Sequence, residues 1–428
     1  VIPHWAPPTN AMQIFEYVEQ GSIELLWISA TNPAVSMPQS GRIRKILGSE
    51  QCFVIVQDLF LTETAALADV VLPAAGWGEK TGTFTNVNRV VHLSEQAVEP
   101  PGEAKSDLDI FVTYARAMGL VDQDGAQLPA WSTPEEAFDA WREATAGRPV
   151  DYTGLSYEKL RGPTGIAWPV NKNAPNGTDR LYTDPVFPTD TEQCETYGHD
   201  LVTGGAVTEQ EHRAMAPAGR AFLKGAKYAP AHEMPNEDYP LLFTTGRTVY
   251  QFHTRTKTGR SRSLNESAPD AWVEISPVDA KALGISEGDW VRVESPRGAI
   301  QVQVRVGQVM TGAVFAPFHY GSWDPEGLTP QGQSRAANEL TMTVWDPVSK
   351  QPYFKTCACR VVRIGPGHGP APAPTTAASA PVVAEDVPPT AGGANTTSRI
   401  PTETPQYPND PAAGTAHPAP TTTVAGRP

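Results

Sequence analysis

CFVIVQDLFLTETAALADVVLPAA, residues 52–75, is the stretch on which the fold is read. Cys52 to Val56 is a short apolar run of strand length, and Val70 to Leu72 is a second one. Upstream, Ile23 to Ile28 reads as another buried strand. Between and before these runs the spacing is helical. Ala11 to Glu19 places Met12, Phe15 and Val18 on one face, and Arg42 to Leu47 stops at Gly48. Strands alternating with helices predict a parallel, doubly wound α/β sheet. Such sheets bind ligands beyond the carboxyl ends of their strands, which here carry Ser29, Asn32, Gln57 and Asp58. A carboxylate at a strand end, such as Asp58, can accept two hydrogen bonds from an N–H/NH2 edge like that of guanine. Taken alone it is equally an ordinary helix-capping aspartate.

A second stretch, LLFTTGRTVYQFHTRTKTGRSRSLN at 241–265, has no acidic residue and five basic ones, Arg247, Arg255, Lys257, Arg260 and Arg262. The apolar run Leu241 to Phe243 leads into Thr244, Thr245 and Gly246, as a strand delivers a loop whose backbone N–H groups can approach an anion. The competing reading is a basic, solvated loop. Lys80 in GWGEKTGTFTN can reach a phosphate or face solvent, and Asp107 in GEAKSD can cap a helix or hold a base or ribose. Asn338 and Lys355 are similarly open one at a time.

The chain divides by composition. Residues 1–150 are the α/β domain, closed by two helices with start signals at Ser106 and Asp109 and at Thr133, Pro134 and Glu136. Residues 151–238 are rich in Pro, Gly, Asn and Tyr and read as an irregular connection wrapping the other parts. Residues 239–364 turn mostly to strand. Candidates are Ala271–Ile275, Trp290–Glu294, Ala299–Val306 and Ala313–Phe315, with a short helix from Ser276–Pro277 to Gly284. That pattern predicts a small antiparallel barrel with one or two helices. Residues 365–428 hold 14 of the 42 prolines and almost no apolar bulk, so a disordered tail is expected.

A net charge of −14 argues against nucleic acid as a partner, and no apolar run is long enough to span a membrane. No leader is visible, which suggests a cytoplasmic protein, although the first residue is Val1. Cys52, Cys194, Cys357 and Cys359 are too few and too scattered for a disulfide framework or a four-ligand cluster. Cys357 and Cys359 read as two small buried hydrophobes rather than half a metal site.

The ordered series TNP (31–33), QDLFLTETAALADVVLPAA (57–75), EKTGTFTNVNR (79–89), GEAKSD (102–107), TTGRTVYQFHTRTKTGR (244–260) and DPVSKQPYFK (346–355) resembles the molybdopterin-guanine-dinucleotide oxidoreductases of the dimethyl sulfoxide reductase superfamily. Within it the chain looks most like the C-terminal half of the assimilatory nitrate reductase branch. Formate dehydrogenases share the architecture. The resemblance implies an α/β domain followed by a six-stranded double-psi-type barrel. It implies molybdenum bis(molybdopterin guanine dinucleotide) as cofactor, nitrate as substrate in two-electron oxygen-atom transfer, and an electron-donor protein as partner.

By position, Gln57 and Asp58 resemble the guanosine-binding pair, Lys80 and Asp107 further dinucleotide contacts, and Asn32 of the TNP motif a cofactor-binding residue. Thr245, Gly246, Arg247, His253, Thr254 and Thr258 match the segment along the pyrophosphate and pterin, and Phe318, Asn338 and Lys355 match later pterin-side contacts. Arg255, Lys257 and Arg260 would favour an anionic substrate. The family's 4Fe-4S cysteines and molybdenum ligand are expected upstream of Val1. No catalytic residue is therefore carried over, and the polypeptide is expected to be inactive alone. A non-catalytic scaffold, like the large iron–sulfur subunit of respiratory complex I, is the contrasting reading. Retention of Asp58, Lys80, Asp107, Gly246, Asn338 and Lys355 favours cofactor binding. Without the resemblance, the residues alone support a nucleotide-binding α/β enzyme with an appended barrel.

Overall fold

The computed structural model describes residues 10–183, 228–324, 327–328, 335–346 and 351–367. The expected tail from residue 368 onward, Cys194 and residues 184–227 of the connection lie outside them, as do 347–350 of the last motif.

Helix α1 (Ala11–Glu19) starts at a capping box in which Asn10 accepts from the Gln13 N–H and the Gln13 side chain returns to Asn10. It buries Met12, Phe15 and Val18, the face read from spacing. Strand β1 (Leu25–Ser29) follows, then α2 (Pro33–Ser36), α3 (Ser40–Leu47), β2 (Phe53–Asp58) and β3 (Val70–Pro73). The three strands form a parallel sheet in the order β1-β2-β3. Its lower face meets α1 and α3 through Ile28, Val54, Val56, Ile43 and Leu47. On the upper face Trp27 packs on Phe111 and edge-on to Tyr114. Both aromatics belong to the later helix α4 (Asp107–Ala117), so the sheet is covered on both sides, as a doubly wound sheet must be.

Between β3 and α4 in the chain comes an antiparallel hairpin, β4 (Gly82–Thr85) and β5 (Val90–Ser94). After α5 (Pro134–Ala144) and α6 (Tyr157–Leu160), the short β6 (Ile166–Ala167) pairs with β5. Val91, Phe138, Tyr152, Leu155, Tyr157, Leu160 and Val170 form a separate small core here. Of the stretch expected to be irregular, residues 151–183 therefore contribute one helix, one strand and part of a packed core.

The second lobe contains β7 (Leu241–Gly246), α7 (Arg262–Ser267), β8 (Trp272–Ile275), α8 (Pro277–Leu283), β9 (Trp290–Ser295), β10 (Gly298–Val306) and β11 (Ala313–Pro317). The pair β12 (Trp323–Asp324) and β13 (Gly327–Leu328) follows, then β14 (Cys357–Gly365). Six strands close a barrel in the order β10-β8-β11-β7-β14-β9. It is mixed rather than antiparallel as expected: β10 runs parallel to β8 and β11 parallel to β7, pairings between strands separated by a helix or a long loop, while the other four pairings are antiparallel. Alternating residues fill it, including Phe243, Val273, Ile275, Val293, Val302 and Val314. Cys357 and Cys359 join this core, and burial pushes the Cys357 thiol up to about 12, so both behave as small hydrophobes.

The lobes meet through polar contacts at the ends of the elements. Gln39 N–H donates to the Thr341 carbonyl at 3.2 Å, and Asn338 Nδ2 donates to the Val35 carbonyl at 3.0 Å. Glu63 accepts from Asn32 Nδ2 at 2.8 Å and from the Trp323 backbone N–H at 2.9 Å. No helix among the described residues is long and apolar enough to cross a membrane.

Candidate functional site

The carboxyl ends of β1, β2 and β3 open onto a cavity of about 880 Å³ whose opposite wall is the barrel loops. Its size suits a ligand as large as a dinucleotide. The sheet lobe contributes Asn32, Gln57, Asp58, Lys80 and Asp107. The barrel lobe contributes Thr245, Arg247, His253, Thr254, Phe318, Asn338 and Lys355. Twelve of the fourteen residues singled out from sequence thus share one wall-to-wall space; Gly246 and Thr258 are not on its lining.

Their hydrogen bonds separate those that frame the cavity from those left to meet a ligand. Gln57 is fully buried, with Trp27 Nε1 donating to its Oε1 at 3.1 Å and its Nε2 donating to Asp107 Oδ1 at 2.7 Å. Asp107, the first residue of α4, also pairs with Lys80 Nζ through its other oxygen. Gln57, Asp107 and Lys80 thus form one chain that sets the floor under β2. Asn32 stands at the N-cap position of α2 but does not cap it with its side chain, whose amide is committed to Glu63 on one side and to the Thr64 N–H and hydroxyl on the other. Asn338 is held by Val35 and by the Thr341 hydroxyl.

Asp58 differs. Its carboxyl accepts from the Leu59 backbone N–H at 2.7 Å and faces the Phe60 N–H, and no side chain among the described residues donates to it. Burial raises its carboxyl above the usual range, opposed by the N–H groups of Leu59 and Phe60 and by the charges of Lys257 and Arg260. It is the sheet lobe's acceptor with capacity to spare.

On the barrel side, Thr245 Oγ1 donates to the Phe354 carbonyl, and Lys355 Nζ donates to the Thr245 carbonyl at 2.8 Å while lying 5.4 Å from the Phe318 ring. Burial lowers the Lys355 ammonium, and the neighbouring Arg247 lowers it further. Arg247 is exposed on the lining and has no ion pair among the described residues. Lys257 also faces the cavity, its ammonium 5.8 Å from the Phe252 ring. These two cations suit a pyrophosphate or another anion.

Arg255, grouped in the sequence with the anion-facing cations, points the other way. It is 1 % exposed, donates to the Pro269 and Trp323 carbonyls, and lies over the Tyr320 and Trp323 rings. Arg260 stacks on Phe60 and Trp323. Thr258 spends its hydroxyl on Gln251 at 2.6 Å. Gly246 ends β7 where a Cβ would sit 2.5 Å from Phe315 Cε2, so side-chain packing accounts for the glycine. Gly246→Ala is expected to cost about 1–2 kcal/mol by displacing the Phe315 ring. Urea unfolding should show that loss, and Phe315→Ala in the same chain should abolish the increment.

Sequence reasoning missed the aromatic rim. Trp77 stacks on Phe84, centroids 3.7 Å apart and planes at 15°, and both line the cavity. The signal was available, since both lie within five residues of Lys80. No cluster of His, Cys, Asp and Glu suited to a metal occurs among the described residues.

Comparison with known proteins fits this geometry. Residues 5–116 match the molybdopterin oxidoreductase family and residues 241–358 the molydopterin dinucleotide binding domain. The chain is 36% identical over 360 residues to the F420-dependent formate dehydrogenase subunit alpha of Methanocaldococcus jannaschii, covering 83% of this chain and 46% of that one. It is 33% identical over 358 residues to the assimilatory nitrate reductase catalytic subunit of Bacillus subtilis, covering 83% and 44%. Acetylene hydratase from Pelobacter acetylenicus shares the fold, with a TM-score of 0.58 at 20% identity over 82% of this chain and 46% of that one. The chain thus spans just under half the length of these relatives. With both family matches falling on the two lobes that enclose the cavity, the chain belongs to the molybdopterin oxidoreductases of the dimethyl sulfoxide reductase superfamily.

Proposed function

We propose that the two lobes clamp molybdenum bis(molybdopterin guanine dinucleotide) for an oxidoreductase acting on a small anion. The observation that carries this reading is the placing of Asp58, with spare acceptor capacity, and of Arg247 and Lys257, neither of them in a salt bridge among the described residues, on one cavity between the lobes. Asp58 would accept from the guanine N–H/NH2 edge. Arg247 and Lys257 would neutralise the pyrophosphate. His253, Thr254, Lys355 and Phe318 would bound the pterin side. The donor set fits such a group: one acceptor at a strand end, free cations across from it, and an aromatic rim. Bound molybdenum would supply two-electron oxygen-atom transfer, and the protein's part is orientation, charge and exclusion of water. On this reading the iron–sulfur cluster and the docking site of the electron donor belong to the rest of the enzyme.

Nitrate reduction is the substrate reading we favour for the whole enzyme, supported by the 33% identity to an assimilatory nitrate reductase catalytic subunit. Formate oxidation is the second reading, supported by the 36% identity to a formate dehydrogenase subunit. The test is purification of the enzyme containing this chain from a host that makes the cofactor. Denaturation should release GMP and a fluorescent oxidised pterin; nitrate should oxidise a reduced dye in the enzyme's presence, and formate should not reduce an oxidised one. Absence of both released products would refute the cofactor reading; turnover of formate alone would select the second substrate.

A further inference from the structure

We propose that His319 is the positioning residue of the cavity loop, a neutral buried imidazole that ties both ends of the Thr248–His253 turn to the end of β11. The proposal rests on the cofactor reading for its purpose, since this loop carries Arg247, Thr254 and Lys257 to the site.

Its geometry fixes its protonation state. Thr248 N–H lies 2.9 Å from His319 Nε2, and an amide N–H can only donate, so Nε2 must be an unprotonated acceptor. Nδ1 lies 2.7 Å from the His253 carbonyl, which can only accept, so Nδ1 must carry the proton. An imidazolium would set a second N–H against the Thr248 N–H and break that end of the clamp. The surroundings enforce neutrality. The ring is 0 % exposed, burial lowers its pKa below the usual histidine value, and the His253 and Arg247 charges lower it further, although the His253 carbonyl favours the proton. The neighbouring side chains are also cation-rich, with Lys355 over Phe318 and Arg255 over Tyr320. The acids beside this segment are Glu63, which packs against Gly321 and is committed to Asn32 and Trp323, and Asp270 near Tyr320, which is paired with Arg335.

The turn needs such a clamp. His253 and Arg255 hold left-handed backbone, at φ 44° and 66°, which non-glycine residues rarely adopt without outside support. Val249 is 88% exposed, and Tyr250 and Phe252 are also exposed, so the turn has little packing of its own. Gln251 and Arg255 anchor its far side to the Ala268 and Pro269 carbonyls, whereas His319 alone joins Thr248 and His253 to the barrel among the described residues.

The sign of the pH effect follows. A histidine with a depressed folded pKa contributes its clamp in full above its unfolded value of about 6.5 and loses it as pH falls through the folded value. The test is residue-resolved amide hydrogen exchange on the full chain at pH 7.5 and 5.5, corrected for intrinsic rates, for wild type, His319→Ala and His319→Gln. His319→Ala should accelerate exchange at Thr248 and its loop neighbours by about tenfold while leaving β9 and β11 amides unchanged. Wild-type Thr248 should lose protection on acidification. Gln, whose Oε1 accepts and does not titrate, should restore part of the protection without the pH step. Equal loop exchange in wild type and His319→Ala, acceleration spread evenly over the barrel, or a pH step surviving in His319→Gln would each overturn the proposal. GDP titrated alongside separates the two ideas: failure of wild type to bind it at either pH counts against the cofactor reading, while the exchange rates decide the clamp.

Discussion

Glu63→Ala is expected to lower the chain's stability by about 3 kcal/mol and to uncouple the two lobes. Glu63 is 7% exposed and lies just beyond β2, yet one of its oxygens accepts from the Trp323 N–H of the barrel lobe and the other from Asn32. Both donors belong to buried residues. Truncation leaves two N–H groups without partners, each costing about 1–3 kcal/mol, and opens space beside Gly321, where a Cβ would already lie 2.4 Å from Glu63 Oε1. Arg260 would lose an acidic neighbour as well. Glu63→Gln should fall between the two, because the amide keeps one acceptor and turns an NH2 toward the other donor. Urea unfolding followed by hydrogen exchange in β2 and in β9 measures both effects. Wild type should unfold with the two strands coupled, and Glu63→Ala should show separate transitions. A loss below about 1 kcal/mol with the transitions still coincident would mean that Asn338 and Gln39 hold the lobes without it.

The expected architecture came from signals that burial enforces. The face Met12, Phe15 and Val18 is buried as its spacing required, and β2 and β3 cover the two apolar runs of residues 52–75. Thr133, Pro134 and Glu136 do form a capping box. The barrel was legible from its series of short strand runs, but its parallel pairings β10–β8 and β11–β7 join strands far apart in the chain and leave no local signal. The hairpin β4–β5 was not read, since its short Thr- and Val-bearing strands sit under a core supplied by residues 138–170, far along the chain. The site shows the same division. Sequence order located the cavity residues, but residue type could not say which amides would be spent on the protein itself. Asn32, Gln57 and Asn338 are spent that way. Nor could a run of cations reveal that Arg255 turns inward to two carbonyls and two rings while Arg247 stays on the wall. Direction is decided by backbone such as the left-handed Arg255, which leaves no mark on composition. His319 escaped notice for a related reason. A lone histidine after Phe318 has no periodicity, and its role appears only when a loop some 66 positions earlier folds over it.

Asp58→Asn should remove most of the guanine preference of this chain. If Asp58 accepts from the base's ring N–H and exocyclic NH2, the asparagine keeps one acceptor and sets an NH2 donor against another donor. Two charge-assisted hydrogen bonds are then reduced to one neutral one, so GDP affinity should fall by about 100-fold. IDP, which lacks the exocyclic NH2, supplies the control. Wild type should prefer GDP over IDP by about tenfold, and Asp58→Asn should bind the two alike. The pH profile adds an independent check. Burial raises the Asp58 carboxyl, Lys257 and Arg260 pull it back, and only the carboxylate can accept from both donors. Wild-type GDP affinity should therefore be full above that raised value and decline as pH falls through it, earlier than for a carboxylate of ordinary pKa. Asp58→Asn has nothing to titrate at this position and should lack the decline. Calorimetric titration of both nucleotides against both proteins across that range measures all of this together. An unchanged GDP-to-IDP ratio in Asp58→Asn would move the base away from β2, and with it the reason for placing the pyrophosphate beside Arg247 and Lys257.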